Sequence, residues 1–233
     1  MTAPFFGYHM PNFTYPGVRR EDLFDHVASL ATAAEEAGFD MITVMDHFYQ
    51  IHMVAAEEEP MMEAYTTLGA LSQRTKAVRL SALVTGVTYR NPALLAKQVI
   101  TLDVLSKGRA ILGIGAAWNE DEHRGYGFEF PSIGRRMDRL DEALHIIKAM
   151  FTEERPTSKV ASTASTVPST RPVPSSPGAP RSWSGAGESR GPCAWWLATR
   201  TFPTGSVGRM TCGAREKSWS GTVPKRAVTR APS

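Results

Sequence analysis

The residues best suited to chemistry fall into three short stretches, each where an apolar run gives way to glycine or polar residues. Asp46-His47 follows the β-rich run Phe39 to Met45, and Thr85-Gly86-Val87-Thr88-Tyr89-Arg90-Asn91-Pro92 follows Val78 to Val84. Gly115, Trp118 and Asn119 end the run that begins at Arg109. Imidazole titrates near neutrality, so His47 can exchange a proton with a reacting atom or bond a ligand. Equally, its ring can bond backbone and be held by Asp46. Gly113 and Gly115 flank Ile114, which leaves room for a ligand to approach the backbone or for tight strand-helix packing; a third glycine, needed for a dinucleotide fingerprint, is absent. On the residues alone Gly86 reads as a strand-end turn glycine. The six histidines have no metal-ligand spacing, such as two on one helical turn, so no metal is expected.

Strand-helix repeats must carry these stretches. Residues 5–10 form a short aromatic-rich run before Pro11-Asn12, and helical spacing of Leu23, Val27, Leu30, Ala31 and Ala34 follows, stopped by Gly38. A second unit pairs the strand at 39–45 with a helix at 62–74. The third pairs 78–84 with a helix that starts at Pro92 and closes at Lys107-Gly108. The fourth pairs 110–114 with a helix at 135–151. Near-continuous apolar strands alternating with helices predict an α/β fold with a parallel sheet, and ligands then bind at the carboxyl ends of the strands. Asn12, Asp46, His47, Thr85, Gly86, Thr88, Gly115, Trp118 and Asn119 all follow a strand, as a single rim requires.

The plan stops at Arg155. Residues 1–155 carry 15 Lys and Arg against 21 Asp and Glu, and all six histidines; residues 156–233 carry 11 against 2. That second part is Ser, Thr, Pro, Gly, Ala and Arg with four tryptophans and one leucine, and it has neither helical nor strand periodicity. Residues 156–233 are therefore expected to be a disordered, basic, low-complexity tail. The favoured origin is translation of a GC-rich gene out of frame. Both cysteines, Cys193 and Cys212, lie there, so residues 1–155 have no disulfide framework. With no export signal or apolar run of spanning length, a cytoplasmic location without membrane contact is expected.

Asp46-His47, the stretch from Thr85 to Pro92, Gly108-Arg109 through Gly113-Ile114-Gly115, and Trp118-Asn119-Glu120, in that order, resemble the luciferase-like monooxygenase superfamily. Within it they resemble the branch of oxidoreductases that use the deazaflavin coenzyme F-420. The resemblance covers residues 5 to about 155. It implies a TIM barrel, of which this chain would hold the first four of eight strand-helix units, with open sheet edges and poor solubility as a consequence. It implies hydride transfer between F-420 and a small organic substrate, with His47 catalytic. Asp46, Thr85, Gly86, Val87, Asn91, Gly115, Trp118 and Asn119 would line the cofactor, Trp118 and Asn119 flanking its ring and bonding its edge. A non-proline cis peptide in the strand-three bulge is also implied, matching Gly86-Val87. The alternative cofactor is FMN, in a monooxygenase of the same fold. The chain as it stands is expected to be inactive. A reading from another class makes it a non-catalytic fragment whose tail binds polyanions without specificity; no specific nucleic-acid partner is expected. A complete parent could be a homo-oligomer.

Overall fold

The computed structural model describes residues 4–152 with their side chains, together with the backbone of residues 181–184 and 197–199. Strands β1 (Gly7–Met10), β2 (Met41–Val44), β3 (Arg79–Ala82), β4 (Thr85–Gly86), β5 (Ala110–Gly115), β6 (Arg181–Ser184) and β7 (Leu197–Thr199) form one sheet in the order β1-β2-β3-β5-β6-β7, with β4 also paired to β5. All pairings are parallel except β6 with β7. Helices α1 (Leu23–Glu36), α2 (Ala64–Arg74), α3 (Pro92–Ser106), α4 (Glu120–Tyr126) and α5 (Ile133–Thr152) connect the strands.

The four expected units are present, and their alternation places the core. Met10, Ile42, Val44, Leu80, Ala82, Leu112 and Ile114 alternate along their strands and pack against Val27 and Ala31 of α1, Leu68 and Leu71 of α2, Leu95 and Val99 of α3, and Leu140 and Ile147 of α5. Truncating a fully buried leucine such as Leu80 to alanine would cost about 2–5 kcal/mol. The intervening residues His9, Thr43 and Ser81 share one register level across β1, β2 and β3. His9 Nδ1 and Thr43 Oγ1 lie 2.9 Å apart, so the second face of the sheet carries a polar row.

The amino-terminal ends of the strands are tied by backbone-directed charges. Arg109 donates to the carbonyl oxygens of Ser72, Thr75, Val78 and Ser106, joining the ends of α2 and α3 to the start of β3. Glu35 accepts from the amides of Lys76, Ala77 and Val78. Such groups satisfy helix-end and strand-start orphans rather than face a ligand.

Two expectations are corrected, and one helix is added. The cis peptide lies at Leu83-Val84, not at Gly86-Val87. Strand β3 stops at Ala82, and the bulge crosses Gly113, where a Cβ would lie 2.3 Å from the Ala82 carbonyl oxygen and 3.3 Å from Val84 Cγ1. The glycine that marks the bulge is thus on the neighbouring strand. Gly86 is small for another reason, because the Tyr89 ring lies 2.7 Å from where its Cβ would be. Next, the segment after Asn119 is helical: Asn119 Oδ1 accepts from the Asp121 amide and Gly127, at φ +72°, closes the turn. Its seven residues are too few to show periodicity. Finally, β6 continues the parallel sheet beyond Arg155 and β7 adds an antiparallel strand, where no strand was expected. Backbone pairing to the open edge of β5 needs no alternating side chains. The remaining part of the expected disordered tail lies outside the described residues.

Candidate active site

At the carboxyl ends of β2, β4 and β5 the loops form two adjoining polar clusters. The first is built on Asp46, which is buried. Its carboxylate accepts two hydrogen bonds from Arg90, at 2.7 and 2.8 Å, and one from the Gly86 amide at 3.1 Å. Arg90 also donates to Glu63 at 2.7 Å and lies over the Tyr65 ring, 5.0 Å from its centre. The Tyr65 hydroxyl is 2.7 Å from Thr85 Oγ1. Burial opposes the Arg90 charge, but Asp46 and Glu63 outweigh it and raise the pKa. For Asp46 burial is the largest influence and pushes its carboxyl up, against the pull of Arg90.

The second cluster is built on Glu122, from α4, whose side chain is 0% exposed. Its Oε2 accepts from His47 Nδ1 and from the Tyr89 hydroxyl, both at 2.8 Å. Its Oε1 accepts from the amides of Phe48 at 2.6 Å and Tyr49 at 3.1 Å. Burial works against this carboxylate, yet the donors from His47, Tyr89 and the backbone outweigh it and hold its pKa below the usual glutamate value. The His47 ring, 14% exposed, meets Trp118 edge-on with centres 5.6 Å apart. Trp118 itself is 44% exposed. Ala117, with φ +61°, makes the turn that delivers it, a left-handed conformation that costs a non-glycine residue about 1 kcal/mol or more.

His123, beside Glu122, locks α4 to the loop after β4. Because the Asn119 carbonyl oxygen can only accept, Nδ1 carries the proton at 2.6 Å, and Nε2 accepts from the Thr88 hydroxyl at 2.7 Å. Burial pushes the His123 pKa down, consistent with a neutral ring. Phe48, Tyr89, Tyr126 and Phe128 pack as an aromatic group over the same loops.

The rim therefore gathers the residues singled out in the sequence, but their polar groups divide. Asp46, Thr85 and Gly86 are engaged in the Arg90 cluster, and the Val87 amide bonds the Gly115 carbonyl at 2.9 Å. Asn91 and Asn119 cap α3 and α4. His47 and Trp118 are the pair that meets at the opening. Glu122, His123 and Tyr89 were missed as site residues; Glu122 and His123 sit in a short helix with an ordinary charged surface pattern, and only the Asn-x-x-Glu spacing after a strand hinted at them. Among the described residues, no group of three His, Cys, Asp or Glu side chains could hold a metal, and no helix is long and apolar enough to cross a membrane.

Known proteins share this arrangement of strands and helices. An F420-dependent glucose-6-phosphate dehydrogenase of Intrasporangium calvum is 38% identical over 139 residues, 58% of this chain and 40% of the relative. The chain thus spans about two fifths of the length of the curated relatives it matches. An F420-dependent secondary alcohol dehydrogenase in complex with an F420-acetone adduct superposes with a TM-score of 0.61 at 24% identity, covering 77% of this chain and 51% of that one. The oxygenating constituent of 3,6-diketocamphane monooxygenase, a type II Baeyer-Villiger enzyme from the CAM plasmid of Pseudomonas putida in complex with FMN, gives 0.59 at 22% identity, covering 72% and 44%. These likenesses show the fold, part of a TIM barrel. The family model for luciferase-like monooxygenases matches residues 5–192, past the end of the motif resemblance at Arg155, and the chain belongs to that family.

Proposed function

We propose that this rim is part of a site for hydride transfer between the deazaflavin coenzyme F-420 and a small organic substrate, with His47 exchanging the accompanying proton. The observation that carries the reading is the His47 imidazole held between buried Glu122 and exposed Trp118 at the strand ends. The relative from Intrasporangium calvum, named as F420-dependent, supports the choice of coenzyme. The residues present fit such a group: Trp118, 44% exposed, offers an aromatic face beside the His47 ring. The coenzyme, when bound, supplies the two-electron chemistry, and the protein supplies orientation. For an alcohol substrate, His47 would take the hydroxyl proton while the carbon bearing that hydroxyl gives its hydride to the coenzyme, leaving a carbonyl product.

FMN is the second reading, favoured by the likeness to the FMN-bound monooxygenase. Titrating a chain that carries the remaining barrel strands with both cofactors separates the two. Tight binding of F-420 with weak binding of FMN supports the first, and the reverse overturns it. We also propose that the 233-residue chain does not turn over by itself, since it spans about two fifths of the length of its relatives and a barrel site draws on all eight strand-helix units. A cytoplasmic location accords with the lack of cysteine in residues 1–155.

A further inference from the structure

We infer that Glu122 is a positioning residue, which fixes His47 as the Nδ1-protonated tautomer and presents Nε2 to the substrate. This rests on the reading of His47 as the residue that exchanges the proton. A carboxylate has no donor, so the 2.8 Å contact between Glu122 Oε2 and His47 Nδ1 requires the hydrogen to sit on Nδ1. In the neutral ring Nε2 is then the basic nitrogen, the state needed to accept a proton from a hydroxyl.

The same carboxylate holds the backbone that carries the ring. Its other oxygen accepts from the amides of Phe48 and Tyr49, the two residues directly after His47. The position of the main chain and the rotation of the imidazole are thus set by one group. The Trp118 ring meets the imidazole edge-on, with centres 5.6 Å apart. Both side chains come from the segment that follows β5, with Trp118 just before α4 and Glu122 within it. That helix is anchored in turn by His123 on Thr88 and by the Tyr89 hydroxyl on Glu122. Two loops converge on Glu122, and the one side chain among its donors with a second nitrogen to offer is His47.

A purely structural carboxylate would need only the amide and tyrosine contacts; the tautomer separates the two roles. The test is nitrogen-15 spectroscopy of the 233-residue chain at about pH 9, where an ordinary histidine is neutral. The His47 signals are assigned by their loss in His47→Gln. A hydrogen bond to a charged acceptor biases the tautomers by roughly tenfold or more, so His47 is expected almost wholly as Nδ1–H. In Glu122→Gln the bias falls at least several-fold, while Tyr89→Phe, which removes a different donor from the same oxygen, leaves it in place. An Nε2–H form of His47 in the unsubstituted protein overturns the proposal, whether or not Glu122→Gln folds. So does a tautomer ratio that Glu122→Gln leaves unchanged. No cofactor enters the measurement, so its outcome is independent of whether F-420 binds.

Discussion

Asp46, just after β2, and Glu122, in α4, are both buried carboxylates on the same rim of the sheet, yet the molecule uses them differently. Asp46 is matched by a guanidinium in a bidentate pair, and its third donor is the amide of Gly86. Everything it touches is itself buried or committed elsewhere, with Arg90 shared between Asp46 and Glu63. Among the described residues, Glu122 is matched by no permanent cation. It is satisfied by two amides, a phenol and an imidazole, and the last of these reaches the opening. Burial dominates Asp46 and raises its pKa, whereas donors dominate Glu122 and lower it. A buried ion pair fastens loops together; a buried carboxylate supplied by neutral donors can also orient a group that must change its proton.

The largest effect should come from the first cluster. Arg90→Ala leaves Asp46 buried without its cation, and urea unfolding is expected to show a loss of about 3–5 kcal/mol. A loss below about 1 kcal/mol would mean that Asp46 takes up a proton at little cost, and the contrast with Glu122 would fail.

Glu122→Gln comes next, at about 1–3 kcal/mol near neutral pH, because at least one donor loses its acceptor. The pH dependence sharpens this. The folded pKa of Glu122 lies below the unfolded value, so its contribution is complete above the ordinary glutamate value of 4.5 and is lost as pH falls through the lower folded value. Thermal melts should therefore show Glu122→Gln losing less stability on acidification than the unsubstituted protein; parallel curves would exclude Glu122 as an ionised group. Thr88→Val should cost the least, about 1 kcal/mol, by removing the hydroxyl that His123 Nε2 accepts from. A larger loss in melts of this variant than in those of Glu122→Gln would make His123, rather than Glu122, the centre of the second cluster.

Much of the framework was legible in the residues. Leu68 and Leu71, or Leu95 and Val99, recur at helical spacing and indeed face the sheet, and Pro92 and Lys107-Gly108 bound α3 as their backbone preferences require. Asp46, His47, Thr88 and Trp118 were placed on one rim because each follows a strand. What could not be read was pairing at a distance. Glu122 lies 75 positions from His47, and nothing in a single sequence marks which of the many glutamates will be buried. Arg90 had no role of its own in the Thr85 to Pro92 stretch, although it joins Asp46 to Glu63 across three segments. The bulge was misplaced because the cue was local, a glycine in the same strand, while the cause is Gly113 on the next one. Strand β6 was invisible because Arg181-Ser182-Trp183-Ser184 pairs through its backbone, without the apolar run that marks β2 and β5.

The most direct test of the account is His47→Ala in a chain that carries the whole barrel, assayed for F-420 turnover and for F-420 affinity together. Turnover is expected to fall by about 100-fold, the usual scale for losing a positioned acid-base group, with affinity changed little. Unchanged turnover, with F-420 bound as tightly as before, would remove His47 from the reaction and leave the Glu122 cluster as scaffold alone.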